Sequence, residues 1–394
     1  MTHRVAIVGA GPSGFYAADG LLRGQPDLKI DLIDRLPTPF GLARSGVAPD
    51  HQGTKAVVRQ FERLLAQPDV RFAGNVEIGR DLSWDELCED YDAVVVATGM
   101  VVDRKLGVPG EDLPHVWGSW KFVAWLNGHP DFRHGPDLSA VRQVAVIGNG
   151  NVALDVARLL AKGPDEMARS DIVPEAGDAI AKAPLTDIHV IGRRGSEHAS
   201  FTNNELAEMG RLGRAVALAD SAELAVDASA TGPTPERLRK AKNLEILRGF
   251  AANKSGSKPL SVHFRFNAAP VAIRPGEIEL ACGKLAADLV ITCIGYHGEE
   301  FPRREGVFAV GWARHGPTGT IPTNRADSHA VARDVLAWLG KRDPKSGPDP
   351  LPRSIDAAGW HRIDKAEVAA GSAHGRPRVK FADWKALLEI ARGD

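Results

Sequence analysis

The chain has 394 residues, 43% hydrophobic and 25% charged, enough for two or three globular domains with sizeable cores. Its 49 basic and 50 acidic residues nearly cancel, so no global charge points to nucleic acid or a membrane surface, and a charged partner has to be met by a local patch. Three scattered cysteines, Cys88, Cys282 and Cys293, form no C-x-x-C pair; this argues against a disulfide framework, a zinc ribbon or a dithiol redox centre, three buried thiols in a reducing compartment are expected, and no metal site is expected.

A strand pattern starts at once over residues 4–8, which leaves no room for a targeting peptide, and no apolar run is long enough to span a bilayer. The expectation is a cytoplasmic protein. A Gly-rich turn follows, then a helix over 13–24 and a strand over 29–34. Residues 94–98 read as a third strand. A second strand–turn–helix–strand unit covers 143–148, 151–162 and 187–192, about 140 residues after the first. The run 286–294 resembles the 94–98 strand. A last strand at 307–310 feeds a helix from about residue 323 to 339. Residues 162–184 and 227–235 read as loops, 341–354 as a linker, and the rest as a short tail with Trp360 and Trp384. Strands alternating with helices predict an α/β fold with parallel sheets.

Gly9-Ala10-Gly11-Pro12-Ser13-Gly14 links a buried strand to a helix, and Asp34 ends the next strand, 20 residues after Gly14. That register is a dinucleotide fingerprint. The glycines allow a tight turn and close approach of a pyrophosphate, the helix start favours the anion, and the carboxylate suits two ribose hydroxyls. Whether FAD or NAD sits there is left open by these residues. The second turn, Gly148-Asn149-Gly150-Asn151-Val152-Ala153, is followed at the next strand end by Gly192, Arg193 and Arg194. Two guanidiniums stand where an NAD site would place an acid, which favours a 2′-phosphate and hence NADPH. Two nucleotide sites without a dithiol suggest hydride passing from one cofactor to another.

Several strings resemble the adrenodoxin reductase type of NADPH–ferredoxin reductase. They are residues 36–42 (LPTPFGL), 44–51 (RSGVAPDH), 148–158 (GNGNVALDVAR), 190–195 (VIGRRG), 310–312 (VGW), 316–321 (GPTGTI) and 375–378 (GRPR). The resemblance covers nearly the whole chain. It implies two Rossmann-like three-layer nucleotide-binding domains of the glutathione-reductase kind. The FAD domain is split over 1–101 and 305–394, and an NADP domain, 102–304, is inserted in it. It also implies flavin contacts at Gly9, Gly11, Pro12, Ser13, Gly14, Asp34, Gly41, Leu42, Val47, Thr98, Gly99, Gly311, Trp312, Gly319, Thr320 and Ile321. NADP contacts are implied at Asn149, Gly150, Asn151, Val152, Arg193, Arg194, Glu205 and Gly319. The stretch 267–306 is shorter than is usual in such proteins.

By the same resemblance, His51 and Glu208 stand beside the flavin–nicotinamide contact. A positioning and proton-relay role is expected, because hydride transfer itself needs no acid or base. The turn 316–321 is expected to point backbone N–H groups at the flavin, with Pro322 in the first turn of the following helix. Residues 231–265 carry eight basic and two acidic side chains. Arg237, Arg239 and Lys240 are expected to dock an acidic ferredoxin-like iron–sulfur protein. A monomer is expected, with no nucleic-acid or membrane partner. Three alternatives compete. An electron-input subunit like that of glutamate synthase lacks its Cys-rich segment here. A flavin monooxygenase lacks its aromatic-Gly-His insertion. A nucleotide-sensing flavoprotein without turnover would have no use for Arg193–Arg194 or the 316–321 turn.

Overall fold

The structure, a computed structural model, describes residues 2–224, 234–345, 351 and 353–393. In chain order its main elements begin with β1 (Arg4–Val8), α1 (Pro12–Gly24), β2 (Lys29–Asp34), β3 (Val70–Gly74) and β4 (Ala93–Val96). Then come β5 (Val116–Gly118), β6 (Gln143–Ile147), α2 (Asn151–Ala161), β7 (Asp187–Ile191), α3 (Asn203–Met209), β8 (Ala215–Ala219), α4 (Thr234–Ala251), β9 (Leu260–Arg265) and β10 (Leu289–Thr292). The chain closes with β11 (Val307–Ala309), α5 (Asn324–Leu339), α6 (Ala357–Ser372) and α7 (Trp384–Arg392). Two units result. The first is Met1–Val102, Asn127–Arg133 and Tyr296–Asp394; the second is Asp103–Leu126 and His134–Gly295.

In the first unit the sheet order is β11-β4-β1-β2-β3, every pair parallel. Parallel strands covered on both faces must be apolar on both faces, and β1 shows why its sequence reads as a continuous run. Val5 and Ile7 pack with Phe15, Leu21, Val331 and Val335 on the side of α1 and α5. Ala6 and Val8 pack with Ile33, Leu87, Tyr91 and Val94 on the other side. In the second unit the order is β5-β10-β6-β7-β9-β8, also parallel. An antiparallel meander, Pro270–Arg274, Glu277–Leu280 and Gly283–Ala286, adds to it. The two sheets are built alike: β1, β2 and β4 correspond to β6, β7 and β10. Both are Rossmann-like three-layer folds.

The segment Asn127–Arg133 joins the first unit, although its sequence neighbours belong to the second. Its polar side chains explain this. Asn127 donates to the Val47 carbonyl at 3.0 Å and accepts Lys55 at 2.6 Å and Lys380 at 2.8 Å. Asp131 takes Arg35 at 2.6 Å and the Trp384 indole at 2.8 Å. Burial pushes the His129 imidazole down to about 4 against the opposing pull of Asp131, so it is neutral at pH 7. Nearby, Glu367 is wholly buried. It accepts Arg44 at 2.8 Å, Arg378 at 3.1 Å and the Phe381 amide at 3.2 Å. Burial alone would raise this carboxyl; Arg44, then Arg378 and Lys380, outweigh it and hold it below its ordinary value.

Several expectations need correction. Residues 162–184 are not a loop, because Pro164–Met167 and Pro174–Lys182 are short helices, each opened by a proline in its first turn. Ala286, the first residue of the 286–294 run, belongs instead to the strand Gly283–Ala286 that closes the meander, and the run itself forms only Leu289–Thr292. Pro322 lies before the Thr323 N-cap of α5, outside the helix. The tail is a pair of packed helices, each capped by an aspartate, Asp356 and Asp383. Cys282 is exposed, so the three thiols are not all buried. Of the expected loop 227–235 and the expected linker 341–354, residues 227–233, 346–350 and 352 lie outside the described residues.

Because removing one member of a buried ion pair strands the other charges, Glu367→Gln should cost about 3–5 kcal/mol of stability at pH 7. A carboxyl held low stabilises the fold above its ordinary value near 4.5 and loses that contribution as pH falls through its folded value. Denaturant unfolding of both proteins between pH 7 and pH 3 should therefore show the gap closing at acid pH; a constant gap would contradict the assignment.

Candidate functional site

The first Gly-rich turn is shaped by a collision that only glycine avoids. At Gly9 φ is +108°, and a Cβ would lie 2.5 Å from the Ala97 carbonyl oxygen on the segment leaving β4. The turn is pinned from both sides. Gly9 donates to the Ile33 carbonyl at 2.7 Å, and the Ala10 carbonyl accepts the Phe40 amide at 2.7 Å. Helix α1 then starts at Pro12 with Gly11 as N-cap and no side-chain cap. Among the described residues the amides of Gly11 and Ser13 donate to no protein acceptor. The helix start is thus free to bind an anion.

Asp34 closes β2 beside this turn. Its Oδ2 accepts the Ala10 amide at 2.8 Å and its Oδ1 the Leu36 amide at 2.9 Å. Burial raises its pKa, and the two amides pull the other way. The carboxylate therefore braces the turn, with lone pairs left over for hydroxyl donors. Phe40 takes up a left-handed backbone, φ 82°, which is uncommon for a bulky residue. Its buried ring packs against Phe15, Phe61 and Trp360. That packing holds the strained turn and sets Gly41 and Leu42 beside Gly11, with a Gly41 Cβ 2.9 Å from the Gly11 Cα. Val47 donates to the Leu42 carbonyl at 2.8 Å. His51 caps the short helix Gln52–Lys55, is partly exposed, and its amide donates to Ala48. Thr98 is exposed after β4, followed by Gly99 at φ +70°.

The C-terminal part of the first unit supplies a second backbone surface. The Gly311 amide donates to Asp327 at 2.8 Å, and a Cβ on Gly311 would meet Ser13 Oγ of the first turn at 2.0 Å. The Trp312 indole donates to the Thr318 carbonyl at 2.9 Å and its ring stacks on Tyr296. Thr323 Oγ1 accepts the Thr320 amide at 2.8 Å. Among the described residues the Gly319 and Ile321 amides have no protein acceptor.

The second turn repeats the design. Gly148 has φ +147°, and a Cβ there would lie 2.3 Å from the Cys293 carbonyl oxygen. Helix α2 starts at Asn151 behind Gly150, again without a side-chain cap. Asn149 accepts the Ser200 amide and hydroxyl on its carbonyl, and Asn151 Oδ1 accepts the Thr202 amide at 2.8 Å. The side-chain Oδ1 of Asn149 is buried with no hydrogen-bond partner among the described residues. Arg193 and Arg194 are exposed, and neither guanidinium makes a hydrogen bond or ion pair to the described residues. An uncapped helix start, an orphaned polar atom and two unengaged guanidiniums fit a phosphorylated dinucleotide.

One side chain was not singled out as functional in the sequence. Arg158 on α2 is fully buried and ion-paired to Asp155 at 2.8 Å, Glu205 at 3.1 Å and Glu208 at 3.6 Å. It ties Glu205 and Glu208 of α3 to the helix behind the second turn. Its signal in the sequence was its place as the last residue of the 148–158 string, seven residues after Asn151. The three expected docking residues on α4 are not equivalent. Arg237 is exposed. Arg239 turns inward, its guanidinium donating to the Phe201 carbonyl at 2.8 Å. Lys240 pairs with Glu236 at 3.1 Å and is 13% exposed. No helix among the described residues is long and apolar enough to cross a membrane.

Comparison with known proteins agrees with this geometry. Residues 3–189 match the pyridine nucleotide-disulphide oxidoreductase family. The chain is 37% identical over 457 aligned positions to the NADPH-ferredoxin reductase FprA of Mycobacterium tuberculosis, covering 99% of both chains. It is 37% identical to the cindoxin reductase of Citrobacter braakii, covering 98% of this chain and 91% of that one. The solved structure of M. tuberculosis FprA in complex with NADPH matches over 100% of both chains, with a TM-score of 0.93 and 36% identity. The alignment is longer than these 394 residues, so FprA carries segments that this chain lacks. The chain belongs to the NADPH–ferredoxin reductase family.

Proposed function

We propose that the chain carries electrons from NADPH through FAD to a ferredoxin-type iron–sulfur protein, with FAD on the first unit and NADPH on the second. It is a ferredoxin–NADP+ reductase. FAD takes up the two electrons of a hydride together and gives them up singly, as a one-electron acceptor requires. The observation that carries the assignment is the contrast between the cradles. Both are uncapped helix starts behind a turn that excludes a Cβ. One is followed by a carboxylate, Asp34, and the other by two unengaged guanidiniums.

The residues then divide the work. The Gly11 and Ser13 amides would hold the flavin pyrophosphate, Asp34 its ribose, and the Gly319 and Ile321 amides would face the flavin ring and stabilise negative charge on it. Asn149, Asn151 and Val152 would hold NADPH at the second turn, and Arg193 and Arg194 would take its 2′-phosphate. Arg158 holds Glu205 and Glu208 in place. His51 and Glu208 position the reacting rings and relay protons, with modest effects on rate. The partner is an acidic ferredoxin drawn to the outer face of α4. Arg237, exposed on α4, supplies the attraction. Arg239 shapes the loop at Phe201 instead.

Anaerobic titration of the purified flavoprotein tests the core of this reading. NADPH should bleach the flavin band at lower concentration than NADH; absence of bleaching with both would overturn it. Arg193→Ala and Arg194→Ala should each raise KM for NADPH roughly 10–100-fold, the worth of a charge-assisted contact, and leave KM for NADH within about threefold. Arg237→Glu should slow ferredoxin reduction up to about tenfold at low salt while sparing a small dye acceptor. Arg239→Ala, which frees the Phe201 loop, should slow both acceptors alike.

A further inference from the structure

Residues 199–202 form a short segment between the second turn and α4. Ala199 and Thr202 are extended, with φ/ψ of −64°/133° and −74°/150°. A trans peptide unit points its C=O and its N–H to opposite sides, and two units here are bonded on both. In the Ala199–Ser200 unit the carbonyl accepts Arg239 Nη1 of α4 at 3.4 Å, and the Ser200 amide donates to the Asn149 carbonyl at 2.8 Å. In the Phe201–Thr202 unit the carbonyl accepts the same Nη1 at 2.8 Å and Asn243 Nδ2 at 2.8 Å, and the Thr202 amide donates to Asn151 Oδ1 at 2.8 Å. The Ser200 hydroxyl adds a second bond to the Asn149 carbonyl at 2.9 Å. Asn203 fastens the far end, its Nδ2 donating to the Arg239 carbonyl and to Asn243 Oδ1, both at 2.8 Å. The Phe201 ring is fully buried, edge-on to Phe264 of β9. One guanidinium thus reaches both asparagines of the second turn, each across a single peptide unit.

We propose that Arg239 is a positioning residue for the NADP(H) site, acting through residues 199–202 on Asn149 and Asn151. The start of α2 has no side-chain cap, so its fit to a dinucleotide depends on what braces the turn. A charged donor on a carbonyl polarises the peptide and strengthens the bond that the N–H on its far side makes. Helix α4 therefore works in two directions. Arg237 is exposed, and Arg239, two residues on, acts inward on the nucleotide turn. The inference rests on NADPH occupying the second unit.

The test is isothermal titration of NADP+ into the FAD-loaded protein, comparing the wild type with Arg239→Met, Arg239→Lys, Thr202→Pro and the Arg239→Met/Thr202→Pro double variant. Methionine keeps an apolar stem but no donor. Proline removes the Thr202 amide at a φ that it already favours. Arg239→Met and Thr202→Pro should each weaken NADP+ by roughly fivefold or more, the worth of one hydrogen bond. Arg239→Lys, which keeps a charged donor, should bind about threefold tighter than Arg239→Met. Because both changes cut one link, the double variant should match the weaker single variant within about twofold. Losses that multiply, or an affinity untouched by Arg239→Met, would overturn the proposal. If Arg239→Met does not fold, the cycle runs with Arg239→Gln, whose shorter neutral donor should give a smaller loss that again does not multiply; a multiplying loss or none would refute it. FAD content should stay at the wild-type level throughout, and its loss alongside NADP+ affinity would reduce Arg239 to a general support of the fold. Wild-type protein that holds FAD but binds no NADP+ would instead bring down the functional reading beneath it.

Discussion

The structure depends on one steric constraint: at two turns the backbone passes a neighbouring carbonyl too closely for a Cβ. At Gly9 the obstacle is Ala97 and at Gly148 it is Cys293. Each contact locks a strand to the start of a helix, and each helix start is left without a side-chain cap. Elsewhere Ser83, Asp356 and Asp383 cap their helices, while α3 and α5 also start without a side-chain cap. Orphan amides cost stability unless something accepts them. Bare amides at these two glycine turns are where a phosphate would complete the cap.

The residues at the neighbouring strand end separate the two cradles. Asp34 places a carboxylate at the end of β2, and the amides of Ala10 and Leu36 partly offset the cost of burying it. The second cradle has a bare glycine at that point and two exposed arginines beyond it. Behind it Arg158 gathers three carboxylates. A buried guanidinium is expensive unless its donors are used; here they orient α3, the helix that carries Glu205 and Glu208.

The first unit relies on buried charge as well as on its core. Glu367, Arg44 and Arg378 join α6 to the segment after Phe40, and Lys55 and Lys380 converge on Asn127. The C-terminal helices are therefore part of the support beneath Gly41, Leu42 and Val47. A strained Phe40 persists because aromatic packing from Trp360 and Phe61 overdetermines it.

Both Gly-rich turns, Asp34, Arg193–Arg194 and the strands around them were legible in the sequence. Their physics is local: glycine spacing, an apolar run of strand length and a charge at a fixed offset all lie within one strand–turn–helix–strand unit. The helices at Pro164–Met167 and Pro174–Lys182 were missed because proline and glycine read as breakers, yet proline also opens helices. Position alone could not tell inward Arg239 from outward Arg237, two residues apart on one helix, because burial depends on which face meets the Phe201 loop. The return of Asn127–Arg133 to the first unit likewise rests on hydrogen bonds to Lys55, Lys380 and Trp384, remote in sequence. Sequence determined which backbone could cradle a phosphate; tertiary packing decided which side chains stayed free to use it, because long-range burial and pairing leave no periodic trace along the chain.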